Sequence, residues 1–173
     1  MNVILEILKY VLPAAIVLVT AYFMIRSFLD HETARRTLEV KGQNQKMITP
    51  VRLQAYERMV LFLERVNPES MLLRLQVPGQ NSGQLHRELL SLIRAEYEHN
   101  LSQQIYMTSR AWSFIKNAKE NVVKLINTAA ERVRPDGPSV ELAAVIIDMH
   151  MKLDPSPVQV AVDFLKEEIA NEF

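Results

Sequence analysis

The sequence predicts an all-α protein: an N-terminal transmembrane helix with a stalk, followed by a soluble bundle of about five helices. Three observations carry this prediction. Only 4 glycines occur in 173 residues, too few for architectures that need positive φ at turn after turn. Beyond position 48, apolar residues recur at three- and four-residue intervals rather than alternating. Three helix starts are written as a capping residue followed by proline, at Thr49-Pro50, Asn67-Pro68 and Ser156-Pro157.

The first element, residues 1–29, reads as a membrane anchor. From Tyr10 to Ile25 the run YVLPAAIVLVTAYFMI carries no charge. It gives roughly 24 Å of helix at 1.5 Å per residue, and Lys9 and Arg26 extend it by snorkelling to the headgroups. Tyr10, Tyr22 and Phe23 stand near its ends, where interfacial aromatics collect. Arg26, Arg35, Arg36, Lys41 and Lys46 follow the run, against Lys9 alone before it. The positive-inside rule therefore directs the C-terminal domain to the cytoplasm. Residues 30–48 read as a juxtamembrane helical stalk and joint: Glu32 precedes Arg35 and Arg36 by three and four positions, Gly42 supplies a stop, and Gln43–Ile48 is turn-like.

Residues 49–173 form the expected cytoplasmic bundle. Behind Thr49, Leu53, Tyr56, Val60 and Leu63 make an apolar stripe, widened by Met59, Phe62 and Val66. Pro68–Gln76 is a short helix, and Val77–Gly83 a loop rich in turn residues. Leu85, Leu89, Leu92, Ile93, Leu101 and Ile105 mark a long helix, and Trp112, Ile115, Val122, Leu125, Ile126, Ala129 and Val133 mark another. A cap at Thr108 or Ser109 would separate the two; without it they form one bent helix. Pro135–Pro138 is a turn, Ser139 a cap, and Val140–Leu153 and Pro157–Glu172 the last helices. In the last of these, Ser156 and Gln159 spell a Ser-x-x-Gln capping box.

Composition excludes several functions. Lys+Arg and Asp+Glu both number 20 and the pI is near 6.9, so the basic field of a nucleic-acid binder is missing. With no cysteine there are no disulfides, thiolate metal sites or thiol nucleophiles. No Gly-x-Ser-x-Gly elbow and no phosphate-binding glycine loop occurs. One Glu-x-x-His, Glu96 to His99, puts a carboxylate and an imidazole on one helical face. Di-iron bundles need that motif twice, and Glu57 and Glu64 are the only well-spaced helix-borne carboxylates to supplement it. His31, His86 and His150 have unrelated spacings. Met149 and Met151, two apart, fall on different helix faces and read as core fillers, and Trp112 as either a core anchor or an interface residue.

The stretch MITPVRLQAYERMVLFLERVNP, with EYEHNLSQQIY, VKLINTAA and the closing AVDFLKEEI, resembles an uncharacterised family of small single-pass inner-membrane proteins with a helical cytoplasmic domain, common in Bacteroidota. That resemblance covers nearly the whole chain and implies an anchored helical protein, with no catalytic residues to carry over. The combined expectation is a non-enzymatic accessory or scaffold subunit of an inner-membrane complex. Its expected partners are the lipid bilayer and an integral membrane protein complex or a homo-oligomer, with no nucleic acid and no cofactor. The alternatives are a membrane-tethered metal-dependent enzyme built on Glu96 and His99, and a cytoplasmic ligand-sensing module.

Overall fold

In the computed structural model the backbone is described for residues 2–172 and the side chains for residues 16–28, 32 and 47–171. The elements are α1 (Asn2–Arg65), α2 (Pro68–Leu75), α3 (Ser82–Asn100), a 3₁₀ segment (Leu101–Tyr106), α4 (Ser109–Ala130), α5 (Ser139–Met151) and α6 (Pro157–Glu172). The fold is all-α, and the only β-type pairing among the described residues is an isolated bridge between Asn81 and Pro138. Two compact units are distinguished, Met1–Ile48 and Thr49–Phe173.

In the first unit, every described side chain from Ile16 to Phe28 is exposed. Thr20 donates its hydroxyl to the Ile16 carbonyl at 2.8 Å, which satisfies it within its own helix. The Arg26 guanidinium reaches back to the Tyr22 hydroxyl at 3.4 Å. Of the expected span, Tyr10 to Ile25, the side chains of residues 10–15 lie outside the described residues. Among those described, no helix is long and apolar enough to cross a membrane.

The stop expected at Gly42, the joint at Gln43–Ile48 and the helix start at Thr49-Pro50 do not interrupt α1, which is helical from Asn2 to Arg65. A proline withholds one N–H and a glycine costs about 1 kcal/mol of propensity, but helix propagation is cooperative and turns on both sides carry such breakers. The helix ends at Asn67-Pro68 as expected, with the Asn67 Oδ1 accepting from the Glu69 N–H at 3.1 Å. The Arg74 guanidinium donates to the Arg65 carbonyl, which satisfies one acceptor of α1's last turn.

The core of the second unit takes Tyr56, Met59, Phe62 and Leu63 from α1 and Val66 from the turn that follows it. Their spacing of three, three, one and three defines a face rotated from the expected stripe: Val60 is half-buried and Leu53 exposed. On α4 the buried residues Ala111, Ile115, Ala118, Val122, Leu125, Ile126 and Ala129 recur every three or four positions. Their alanines leave room for close packing against α6, the principal neighbour of α4. Phe114 and Phe164 stack across that contact with ring centroids 4.1 Å apart.

Helices α3 and α4 are separate. α3 ends at Asn100, the chain tightens into the 3₁₀ turn, and Thr108 restarts it by accepting from the Ala111 N–H at 3.0 Å. Leu101 and Ile105, expected on the α3 stripe, are therefore exposed, because the turn breaks the 3.6-residue register. Ser156 caps α6 through the Gln159 N–H at 3.2 Å, but the Gln159 amide donates to Asp163 at 2.7 Å and leaves the box half-made. The complete capping box is at Asn81 and Gln84. Ser139 does not cap α5 with its side chain; its N–H donates to the Gln80 carbonyl at 3.0 Å. Ser82 and Gly83 likewise donate to the carbonyls of Gly137 and Pro135, each at 2.8 Å. The loop expected at Val77–Gly83 is thus zipped to the turn before α5. A β-carbon at position 83 would meet the Pro135 carbonyl oxygen at 3.2 Å, so glycine lets the two segments approach.

Candidate functional site

The Glu-x-x-His face does not gather a metal site. Glu96 is largely enclosed, and its carboxylate accepts from the Arg65 guanidinium at 3.2 and 3.3 Å. His99, Glu57 and Glu64 are exposed. Among the described residues no three His, Asp or Glu side chains stand close enough to share an ion. His86 pairs with the Asn127 side chain at 2.8 Å, His150 is half-buried on α5, and the side chain of His31 lies outside the described residues.

Tyr97, in the middle of that motif, is the centre of an aromatic group. Its ring lies 5.9 Å from Phe62 and 5.8 Å from Trp112, and Lys119 sits 4.3 Å over its face. Trp112 is therefore half-buried against this group and serves as a packing residue. Burial, and secondarily the Glu120 carboxylate, raise the Tyr97 phenol above the usual value near 10. Above pH 10 the unfolded chain ionises this phenol while the folded chain resists, so its contribution to stability is complete below pH 10 and falls as pH rises further. Tyr97→Phe is expected to flatten the alkaline limb of stability against pH and to remove one phenolate component that titrates above the usual value. An unchanged titration curve would contradict the raised phenol.

In the second unit, some of the exposed apolar side chains lie together between α2 and α5. In α2, Met71 and Leu72 enter the core, which turns Leu73 outward to 88 % exposure. Three consecutive apolar residues span about 200° of a helix, so one must face away from any single core. α5 repeats the pattern: Leu142, Ala143 and Ile146 are buried, Val140 and Met151 are exposed, and Ala144 faces out between them. Met149 packs against the core whereas Met151 is 74 % exposed, so only one of the two is the core filler their spacing suggested. Leu73, Val140 and Met151 line an open groove of about 680 Å³, together with Leu72, Ala143, Ala144 and Ile147. Its only charged lining groups are Glu69 and Asp148.

Residues 2–172 match a family of unknown function, DUF7935. The chain belongs to that family. The DUF7935 match runs through the exposed apolar part of α1 as well as the second unit. No curated protein and no solved structure matches this DUF7935 chain.

Sequence reasoning missed the groove although its signal was present. α5 is apolar nearly all round, from Val140 to Ile147 with only Glu141 polar, and a helix at the surface of a small bundle can bury only part of such a circumference.

Proposed function

We propose that this DUF7935 protein is a non-enzymatic accessory or scaffold subunit of an inner-membrane complex, anchored by the apolar part of α1 and presenting its bundle to a protein partner in the cytoplasm. The observation that carries this reading is the α2–α5 groove, whose lining includes the exposed Leu73, Val140 and Met151 and the small residues Ala143 and Ala144. The anchor is supported by Ile16 to Phe28, exposed on every face of the helix in a segment with no acidic residue. Such a surface is stable in lipid and costly in water. The orientation rests on the five basic residues between positions 26 and 46.

Two measurements test the proposal. Tagged full-length protein purified in mild detergent is expected to bring down a stoichiometric membrane partner. A clean monomer in several detergents would sink the scaffold reading, and near-stoichiometric metal lost in His99→Ala would favour the enzyme. For topology, the chain has no cysteine of its own, so single cysteines report cleanly. Cysteine replacing Asn2 should react with a membrane-impermeant thiol reagent in outer-membrane-permeabilised cells. Cysteine replacing the exposed Asn117 should stay protected until the inner membrane is opened. The reverse pattern would overturn the orientation.

A further inference from the structure

We infer that the α2–α5 groove seats a basic amphipathic helix of a protein partner, with the partner's cationic end over Glu69 and Asp148. This rests on the scaffold reading and adds to it the chemistry of what is bound.

The shape fits a helix. The lining runs from Val140 to Met151 along α5, roughly 17 Å, and from Glu69 to Gln76 along α2, roughly 11 Å, so the two walls together accept about two turns of helix. Ala143 and Ala144 are its smallest lining residues and give room for leucine- or isoleucine-sized side chains, with Leu73 and Met151 lining the same groove. Methionine adapts to differently shaped apolar side chains.

The charge fits a cation and is polarised. Gln76 and Val140 also line the neighbouring concavity formed by the zipped loops, so the C-terminus of α2 meets the N-terminus of α5. The two helices run antiparallel, which collects Glu69 and Asp148 at the opposite end. No lysine, arginine or histidine lines the groove. Among the described residues, Glu69 has no ion pair, and Asp148 has only Lys152 one turn on, both side chains being more than half exposed. An exposed pair of this kind is weak and exchanges readily for a better-placed cation. An anionic lipid surface would be repelled by the two carboxylates. A second copy of this groove, set antiparallel, would oppose each acidic end to a neutral one and gain no charge match.

The test uses the full-length chain in a zwitterionic detergent and two synthetic helical peptides of about 14 residues. Both carry leucine at i, i+3, i+4 and i+7; one has lysines flanking the stripe at one end, its twin glutamates. By fluorescence anisotropy at low salt the lysine peptide is expected to bind about tenfold tighter or more, with the gap shrinking at high salt. Leu73→Asp and Met151→Asp, both at exposed positions, should each weaken it about tenfold with circular dichroism unchanged. Glu69→Lys combined with Asp148→Lys should invert the preference between the twins. Equal binding of the twins, no binding of either, or binding indifferent to Leu73→Asp would overturn the inference. So would self-association abolished by Leu73→Asp, which would assign the groove to a second copy. A membrane partner captured equally well by the Glu69→Lys, Asp148→Lys variant would overturn this inference while leaving the scaffold reading intact.

Discussion

Replacing Phe62 by alanine is expected to destabilise the bundle by about 3–5 kcal/mol, the usual cost of emptying a fully enclosed aromatic site. Phe62 is 1 % exposed and faces the Tyr97 ring at 5.9 Å. Its loss removes apolar burial and also leaves a cavity, because Tyr97 is held on its other side by Trp112 and Lys119 and cannot collapse freely into the space. Trp112 is the sole tryptophan and lies in this group, so its fluorescence reports the transition directly. In urea, with a slope of about 1–3 kcal/mol/M, the unfolding midpoint should fall by a molar unit or more. Phe62→Leu, which refills most of the volume, should lose clearly less. A cost below about 1 kcal/mol for the alanine variant would mean that the aromatic group is not tightly packed.

The second large effect is expected at Glu168. Its carboxylate accepts from the Tyr56 hydroxyl at 2.7 Å and from the Thr108 hydroxyl at 2.6 Å, joining α6 to α1 and to the start of α4. Tyr56 is completely buried, and Thr108 simultaneously caps α4 through the Ala111 N–H. Glu168→Ala deprives both hydroxyls of this acceptor, and hydrogen bonds to a charged group contribute about 1.5–3 kcal/mol each before relaxation. A net loss of about 2–4 kcal/mol is expected. Tyr56→Phe alone, which removes donor and need together, should cost about 1 kcal/mol. In a double-mutant cycle, Tyr56→Phe should cost much less once Glu168 is alanine. Additive losses would show that the two groups do not act through each other.

The groove illustrates a signal that can be read in sequence but not interpreted there. Met71-Leu72-Leu73 and the nearly all-apolar α5 announce more hydrophobic circumference than one small core can absorb. Which residue of each set is left outside depends on the rotation of both helices, and that is decided by neighbours far along the chain. The same holds for the Thr49–Val66 stretch, where the broad apolar face read from the sequence contains every residue that enters the core, and contact with the rest of the bundle centres it on Met59, Phe62 and Leu63 and leaves Leu53 exposed. The Glu-x-x-His spacing likewise aligned Glu96 with His99, yet Arg65, 31 positions away, takes the carboxylate.

What the sequence determined by itself is local: an all-α chain, the caps at Asn67 and Ser156, the glycine-containing turns, and the uncharged run before Arg26, whereas the structure chose Thr108 over Ser109 as the cap of α4. Each depends on interactions within about four residues, where spacing and side-chain type are enough. The tertiary structure alone decided the meeting of Tyr56 with Glu168 across 112 positions, the zipping of the Val77–Gly83 loop onto the turn before α5, and the exposure of Leu73 and Met151. The physical reason is that these features compare competing burials. A local preference worth about 1 kcal/mol yields whenever the packing of a whole helix face, worth several times more, points the other way.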